Sequence, residues 1–357
     1  MSQTNEQASR DTAPAGSIRF NTDSSRLEIY NGEAWWEIDA TSPELQTGGT
    51  RGVLDSGRSG GGADQTGTNV IQFINIATTG NAVDFGDAID PNSRGGGTMS
   101  SRTRGIITRP SDDDTIEFIT ISSTGNSAEF GEDSIANQGA VFSNQTRGVN
   151  MSGSTSNNSI SYITIAQLGN AVDFGDITTP GTGVHGATGL GNQTRGIAIM
   201  GREAPSPNND GNTMHYVTIS TLGNSADFGD LTTPTYASGT AANATRGLVL
   251  SSSNGGSPAQ TNMIDFVTIS TLGNSVRFGE LDRIRAGVSG ANAGMGVASP
   301  TRAVYCGGYG SPSPVYTLNT RMDYVQIMTE GNSTDFGDLV QKCKQGAPIS
   351  NGHGGLG

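Results

Sequence analysis

The residues most suggestive of chemistry are four copies of Asp-Phe-Gly, beginning at Asp84, Asp173, Asp227 and Asp335. In a protein kinase such a carboxylate holds the nucleotide's magnesium, and a lysine and a catalytic loop complete the machinery. Here the motif recurs through the chain. Glu129 and Arg277 replace the acid in two further copies, and no lysine precedes Lys342. It reads as a structural turn. Gly181-Thr182-Gly183-Val184-His185-Gly186 has the spacing of a dinucleotide fingerprint. That motif needs a strand before it and a helix after it, whereas this one lies in a Gly/Thr loop ahead of a β-repeat. His185, His215 and His353 lack the paired spacing of a zinc site. The repeated Asp-Phe-Gly-Asp step offers two carboxylates, without the dense Asp-x-Asp-x-Asp-Gly run of a calcium loop. Salt bridging or turn capping is the reading for these acids. No Ser-His-Asp set stands out among the many serines. The chemistry-bearing residues therefore predict no enzyme, no metal and no cofactor.

The elements that carry these residues repeat. One signature is Thr-Arg-Gly, at Thr50-Arg51-Gly52, Thr103-Arg104-Gly105, Thr146-Arg147-Gly148, Thr194-Arg195-Gly196 and Thr245-Arg246-Gly247, with Thr301-Arg302-Ala303 as a sixth copy. An apolar residue always follows. The other is a longer segment such as Ile264-Asp265-Phe266-Val267-Thr268-Ile269, centred elsewhere on Phe73, Phe118, Tyr162, Tyr216 and Tyr324. Each copy ends in Gly-Asn and runs on to the Phe-Gly step. The spacings between successive arginines are 53, 43, 48, 51 and 56. A constant core with loops of varying length produces that drift, and repeats of roughly 40 to 50 residues are the size of propeller blades. Short β-branched and aromatic runs between Gly, Ser, Thr and Asn exclude helical repeats.

One unit reads as four strands. Thr-Arg-Gly opens the first, the aromatic segment is the second, and Asp-Phe-Gly-Asp is the third. The stretch before the next Thr-Arg-Gly supplies the fourth. In the aromatic strand Ile264 and Phe266 point one way and Val267 and Ile269 the other, so both faces are apolar. The position before the aromatic is variable and polar (Gln72, Glu117, Ser161, His215, Asp265, Asp323), which predicts a partly exposed rim. The fold class expected is all-β, a six-bladed β-propeller over residues 48–357.

Composition agrees. The chain has 357 residues, 53 of them glycine, with 33% hydrophobic and 6% aromatic residues. That suits many short strands and tight turns rather than an ordinary enzyme core. The net charge is −13, and Lys342 and Lys344 are the only lysines, so no nucleic-acid footprint exists. No apolar run reaches the roughly 18 residues of a membrane span. Cys306 and Cys343, the only cysteines, fall in the last repeat and read as buried thiols that would come close if a ring closes there.

Every copy carries one arginine (Arg51, Arg104, Arg147, Arg195, Arg246, Arg302) and one acid after Phe-Gly (Asp87, Glu132, Asp176, Asp230, Glu280, Asp338). A charge in a crowded ring needs a partner when desolvated. The expectation is a repeated ion pair between them.

The N-terminus lies outside this pattern. Residues 1–15 are polar, carry no secretory signal and read as a flexible arm. Residues 16–40 alternate apolar and polar positions around Asn31-Gly32, a hairpin signal, and predict a three-stranded meander. Both tryptophans, Trp35 and Trp36, sit there. About 25 residues cannot bury a stable core alone, so the two indoles are read as a docking surface. At the other end, Ser350-Asn351-Gly352-His353-Gly354-Gly355-Leu356 resembles Ser143-Asn144-Gln145-Thr146-Arg147-Gly148-Val149. It predicts the opening strand of a truncated seventh copy that covers a strand edge.

The pattern Gly16-Ser17-Ile18-Arg19-Phe20-Asn21 to Tyr30-Asn31-Gly32-Glu33-Ala34-Trp35 resembles a short module near the ends of bacteriophage tail-fibre and other virion proteins. The repeats resemble kelch-like repeats in structural proteins of phages that infect marine bacteria and cyanobacteria. A departure is that the Gly-Gly after the first strand stands clearly only at Gly307-Gly308. The resemblance implies a virion component with no catalytic residues. As an attachment protein it would dock on other virion proteins through the N-terminal module, as a homo-oligomer. Its propeller would face a host-surface polysaccharide or protein. As a capsid knob or decoration protein it would bind only virion partners. A polysaccharide-degrading propeller enzyme would need converging acids, His or Tyr that the sequence does not offer.

Overall fold

The computed structural model describes residues 13–21, 26–37, 49–59, 66–92, 97–108, 114–133, 139–151, 158–178, 184–203, 211–235, 238–253, 260–283, 285–286, 295–310 and 317–356. The chain forms two compact units, Met1–Gln46 and Thr47–Gly357. Residues 1–12 of the expected arm lie outside the described residues.

The smaller unit is an antiparallel meander of Ile18–Asn21, Arg26–Tyr30 and Trp35–Glu37. Asn31 turns the second hairpin by accepting the Glu33 and Ala34 N–H groups on Oδ1, both at 2.8 Å.

The larger unit is all-β and propeller-like, with six four-stranded antiparallel sheets among the described residues. The third sheet is representative: Ala140–Ser143, Arg147–Met151, Ser159–Thr164 and Val172–Asp176 lie side by side in that order. The strand before Thr-Arg-Gly therefore pairs with the arginine strand that follows it, not with the preceding Phe-Gly strand. This changes the expected composition of a unit, because a three-residue turn makes the forward hairpin the local one. The arginine strand is consequently second in its sheet.

Sheet one departs from this local rule. Its first strand is Ala347–Ser350, from the far end of the chain, paired with Arg51–Asp55. Thr68–Asn75 and Val83–Asn92 complete it. The tail thus supplies a strand one step earlier than expected, and Gly354–Leu356 forms a short 3-10 turn. Asn351 Oδ1 accepts from Arg51 N–H at 2.9 Å, as Asn144, Asn192 and Asn243 do for Arg147, Arg195 and Arg246 within continuous hairpins.

Six apolar clusters lie between the sheets. Phe142, Val149 and Ile160 of sheet three meet Ala198 and Val217 of sheet four. Leu54 and Ile74 of sheet one meet Val304 and Met322 of sheet six. The others join sheets five to six, four to five, one to two and two to three. The aromatic strands are buried on both faces, as Ile264, Val267 and Ile269 illustrate. Cys306 and Cys343 are buried thiols, not joined in a disulfide, that share the cluster between sheets six and one.

Candidate functional site

Each arginine has the same surroundings. Its guanidinium lies over the aromatic of its own sheet, at 4.3 Å for Arg51 on Phe73, 4.7 Å for Arg104 on Phe118 and 4.4 Å for Arg147 on Tyr162. Arg195, Arg246 and Arg302 stand over Tyr216, Phe266 and Tyr324 at 4.6, 4.1 and 4.4 Å. That ring meets the Phe of the Phe-Gly step edge-on, as for Tyr216 and Phe228 at 6.2 Å. The guanidinium Nη1 then donates to a carbonyl of the following sheet: Ile121, Ile165, Ile219, Ile269 and Ile327, and Ile76 for Arg302. Burial lowers the pKa of Arg51.

The expected ion pairs with Asp87, Glu132, Asp176, Asp230, Glu280 and Asp338 are not formed among the described residues. Among the described residues, the carboxylate within ion-pair reach of one of these arginines is Glu330, 3.9 Å from Arg246. A main-chain carbonyl and a π face hold each guanidinium without desolvating a carboxylate. The readable signal was the aromatic, present in all six copies.

The acids are positioned by their backbone. Asn224 Oδ1 accepts from Asp176 N–H at 3.0 Å, Gly223 N–H donates to the Phe174 carbonyl at 2.9 Å, and Ser225 N–H donates to the Asp176 carbonyl at 2.9 Å. Gly-Asn of one sheet thus clasps Phe-Gly-acid of the sheet before. Five further copies of the clasp exist, and in one Gly80-Asn81-Ala82 of sheet one clasps Phe336 to Asp338 of sheet six. Contact is close enough to require glycine. A Cβ at Gly229 (φ +138°) would lie 2.6 Å from the Gly273 carbonyl.

The opposite strand ends differ. The variable polar position is buried in all six sheets, not a rim. Each side chain works on the interface with the sheet before. Gln72 Oε1 accepts from Val340 N–H at 2.8 Å, and Glu117 Oε2 accepts from Ile89 N–H at 3.2 Å and from the Ser127 hydroxyl. Ser161 donates to Asp133 at 3.0 Å, which Asn150 Nδ2 also reaches at 3.0 Å. His215 Nδ1 is 3.1 Å from Ser225 Oγ, which accepts from Thr178 N–H. Asp265 accepts from the Thr232 hydroxyl, and Asp323 accepts from Arg321, which also reaches Asp282. Buried polar groups must be bonded, and these are bonded differently at each interface.

Long connections leave from this same end of the strands. The stretches Gly57 to Thr68 and Pro205 to Thr213 belong here, whereas Ala286 to Pro300 runs on into the first strand of sheet six, Met295–Ala298; residues 60–65, 204–210 and 287–294 within them lie outside the described residues. Val184-His185 of the glycine-rich stretch pairs with Arg202-Glu203 in a two-stranded sheet. Residues 181–183 are outside the described residues, and the helix a dinucleotide site requires is not found in the described stretch that follows.

The first strands of the sheets surround a cavity of about 100 Å³, lined by small residues such as Gly97, Ser100, Ser143, Thr188 and Thr240. His353 forms part of its wall. Around it the tail packs against main-chain carbonyls. A Cβ at Gly354 would lie 2.3 Å from the Asn243 carbonyl, and one at Gly355 would lie 1.9 Å from that of Ser143. In this lining Ser100 Oγ donates to the Ser350 carbonyl at 2.9 Å, Ser143 Oγ donates to the Ser100 carbonyl at 3.1 Å, and His353 Nε2 faces the same Ser100 carbonyl at 3.2 Å. Among the described residues no group of three or more His, Cys, Asp or Glu is placed to hold a metal ion.

In the smaller unit the two tryptophans part company. Trp35 stacks with Tyr30, with ring centres 5.3 Å apart, and lies under Arg19 at 4.3 Å. Arg19 Nε in turn pairs with Glu28 at 2.7 Å. Trp36 is 62% exposed. Of the two indoles expected to form a docking surface, Trp36 is the exposed one, while Trp35 packs within the module.

A scan against known protein families finds no match, and a search of curated proteins finds none.

Proposed function

We propose that Thr47–Gly357 is a closed six-bladed β-propeller and that the chain is a bacteriophage virion attachment protein. In this reading the N-terminal module docks on the particle and the propeller presents its long-loop side to a polysaccharide or protein of the host surface. Support for closure comes from the cyclic order of clusters and clasps, in which sheet one receives the tail strand and clasps sheet six. Support for recognition comes from one observation above others: near-identical short turns at one end of the strands and varied, longer connections at the other. Variable polar loops on a rigid scaffold are where binding specificity is normally built. The phage assignment rests on the sequence resemblance.

The test has two arms. Purified protein should compete with phage adsorption to host cells, and particle reconstruction should place the long-loop side outward. No competition, together with that side buried against the capsid, would replace the attachment role with that of a decoration protein.

A further inference from the structure

In the larger unit, the six turns that follow the aromatic strands share one backbone. Each carries a main-chain bond such as that from Thr221 N–H to the Thr218 carbonyl at 3.1 Å, and its glycine stands at a φ between 148° and 159°. The residue before that glycine is Thr79, Thr124 and Glu330 in sheets one, two and six. In the consecutive sheets three, four and five it is Leu168, Leu222 and Leu272. The turn therefore does not require leucine. Nor does the core, since the three are 55%, 54% and 57% exposed. Single exposed apolar residues are ordinary, but the same position in three successive sheets makes a repeated surface feature. The clasps set acids beside it. Asn170, Asn224 and Asn274, two residues after each leucine, accept the backbone N–H of Glu132, Asp176 and Asp230 of the sheet before. Glu129, Asp173 and Asp227 lie on the same outer strands as those acids. Among the described residues none of these six carboxylates is in a salt bridge.

We propose that Leu168, Leu222 and Leu272 with their flanking acids are a docking surface for a segment of another protein that carries apolar and basic side chains in alternation. Charge selects this occupant. An interface that covers the leucines also draws in the carboxylates, and these need cations from the partner when water leaves. Nucleic acid and anionic membrane are repelled. The chain's own surfaces do not complement the acids either. Residues 1–46 hold three arginines and eight acids, a net charge of −5, and a second copy carries −13. The surface lies at the short-turn end of the strands, so the inference does not depend on the attachment reading, which rests on the long connections.

Fluorescence anisotropy of labelled peptides titrated with the full chain tests it. The probes are a peptide of Lys-Leu-Gly repeats and one of Lys-Ser-Gly repeats of the same length. Wild type should bind the leucine peptide at least about tenfold more tightly than the serine peptide, with an affinity that falls as salt rises. Leu168→Thr, Leu222→Thr and Leu272→Thr together install the residue of sheets one and two. They should abolish that preference while circular dichroism shows the fold kept. Asp173→Asn with Asp227→Asn should weaken both peptides and flatten the salt dependence. Val83→Thr, at an exposed apolar residue of sheet one, should change neither. Wild type that binds neither peptide or binds both equally overturns the proposal, as does a preference that survives the triple substitution. Tighter binding after Trp36→Glu would show that the N-terminal unit already covers the leucines, and overturns it too.

Discussion

The two ends of every sheet interface in the larger unit are built on opposite plans. At the short-turn end, Gly-Asn clasps Phe-Gly-acid and an arginine bridges to a carbonyl, with the same atoms in each interface. At the long-loop end the bond across the interface is Gln to backbone in one place, Ser to Asp in another and Asp to Thr in a third. The constant end uses main-chain groups wherever it can. It therefore fixes how far apart and at what angle neighbouring sheets sit, whatever the loops contain. The varied end uses side chains, so each interface has its own donor and acceptor pattern. A mismatched pair of sheets would bury unpaired polar atoms, which is a cost specific to the wrong neighbour. One end sets geometry and the other sets identity.

The comparison is broken most directly at a glycine. Gly229→Ala should destabilise by about 3 kcal/mol or more, because it adds a Cβ against a backbone carbonyl at a left-handed φ, where neither partner can yield. At the other end of the strands, Ser161→Ala should cost only about 1 kcal/mol, since Asp133 keeps its bond from Asn150. Urea denaturation midpoints of both variants measure the difference. Equal losses would mean that the two ends are not built differently.

A second, smaller contrast lies within the constant end. Arg246→Ala removes the stack on Phe266 and the bond to the Ile327 carbonyl. It should cost about 2 kcal/mol, with Arg246→Lys recovering part of it, because an ammonium cannot stack flat and donate along the ring edge. Asp230→Asn should cost under about 0.5 kcal/mol, since Asp230 is clasped through its backbone N–H. A large loss at Asp230 would restore the ion-pair view of these residues.

The sequence made the repeat number, the aromatic strand and the buried thiols legible, because side-chain identity and period carry them. It hid three things for a common reason. The partner of each arginine is a carbonyl, the clasp acts on N–H groups, and the tail strand binds by ladder bonds to Arg51–Asp55. Main-chain atoms are the same in every residue and leave no letter to read. The variable polar position misled in another way. Gln72, Glu117 and Asp323 vary as surface residues do, yet they are buried, because each interface solves its own bonding problem. The Trp35–Trp36 pair looked like one feature, although neighbours in a strand face opposite sides of the sheet.

A pH-dependent effect is expected at the tail, beside the cavity. Gly355 N–H donates to His353 Nδ1 at 3.1 Å, so the ring's own proton sits on Nε2, facing the Ser100 carbonyl at 3.2 Å. A second proton would have to displace the Gly355 bond and place a charge among packed backbone. Burial accordingly lowers the His353 pKa from 6.5 to about 4, against the opposing pull of the Ser100 carbonyl. Because the folded value lies below the unfolded one, the contribution to stability is complete above pH 6.5. As pH falls from 6.5 towards 4, the unfolded chain takes up a proton that the folded chain refuses, and stability is lost. Below about 4 both forms are protonated and the loss stops growing. His353 as a residue is half-buried, so the loss over this window should be about 1 kcal/mol rather than the larger value of a fully enclosed imidazole. Carboxylates titrate towards the acid end of the same range, so the quantity to measure is the difference between wild type and His353→Gln, which cannot be protonated there. That difference should shrink steadily from pH 7 to pH 4. Stability curves that stay parallel across the range would show that the tail keeps its place whether or not the imidazole is charged.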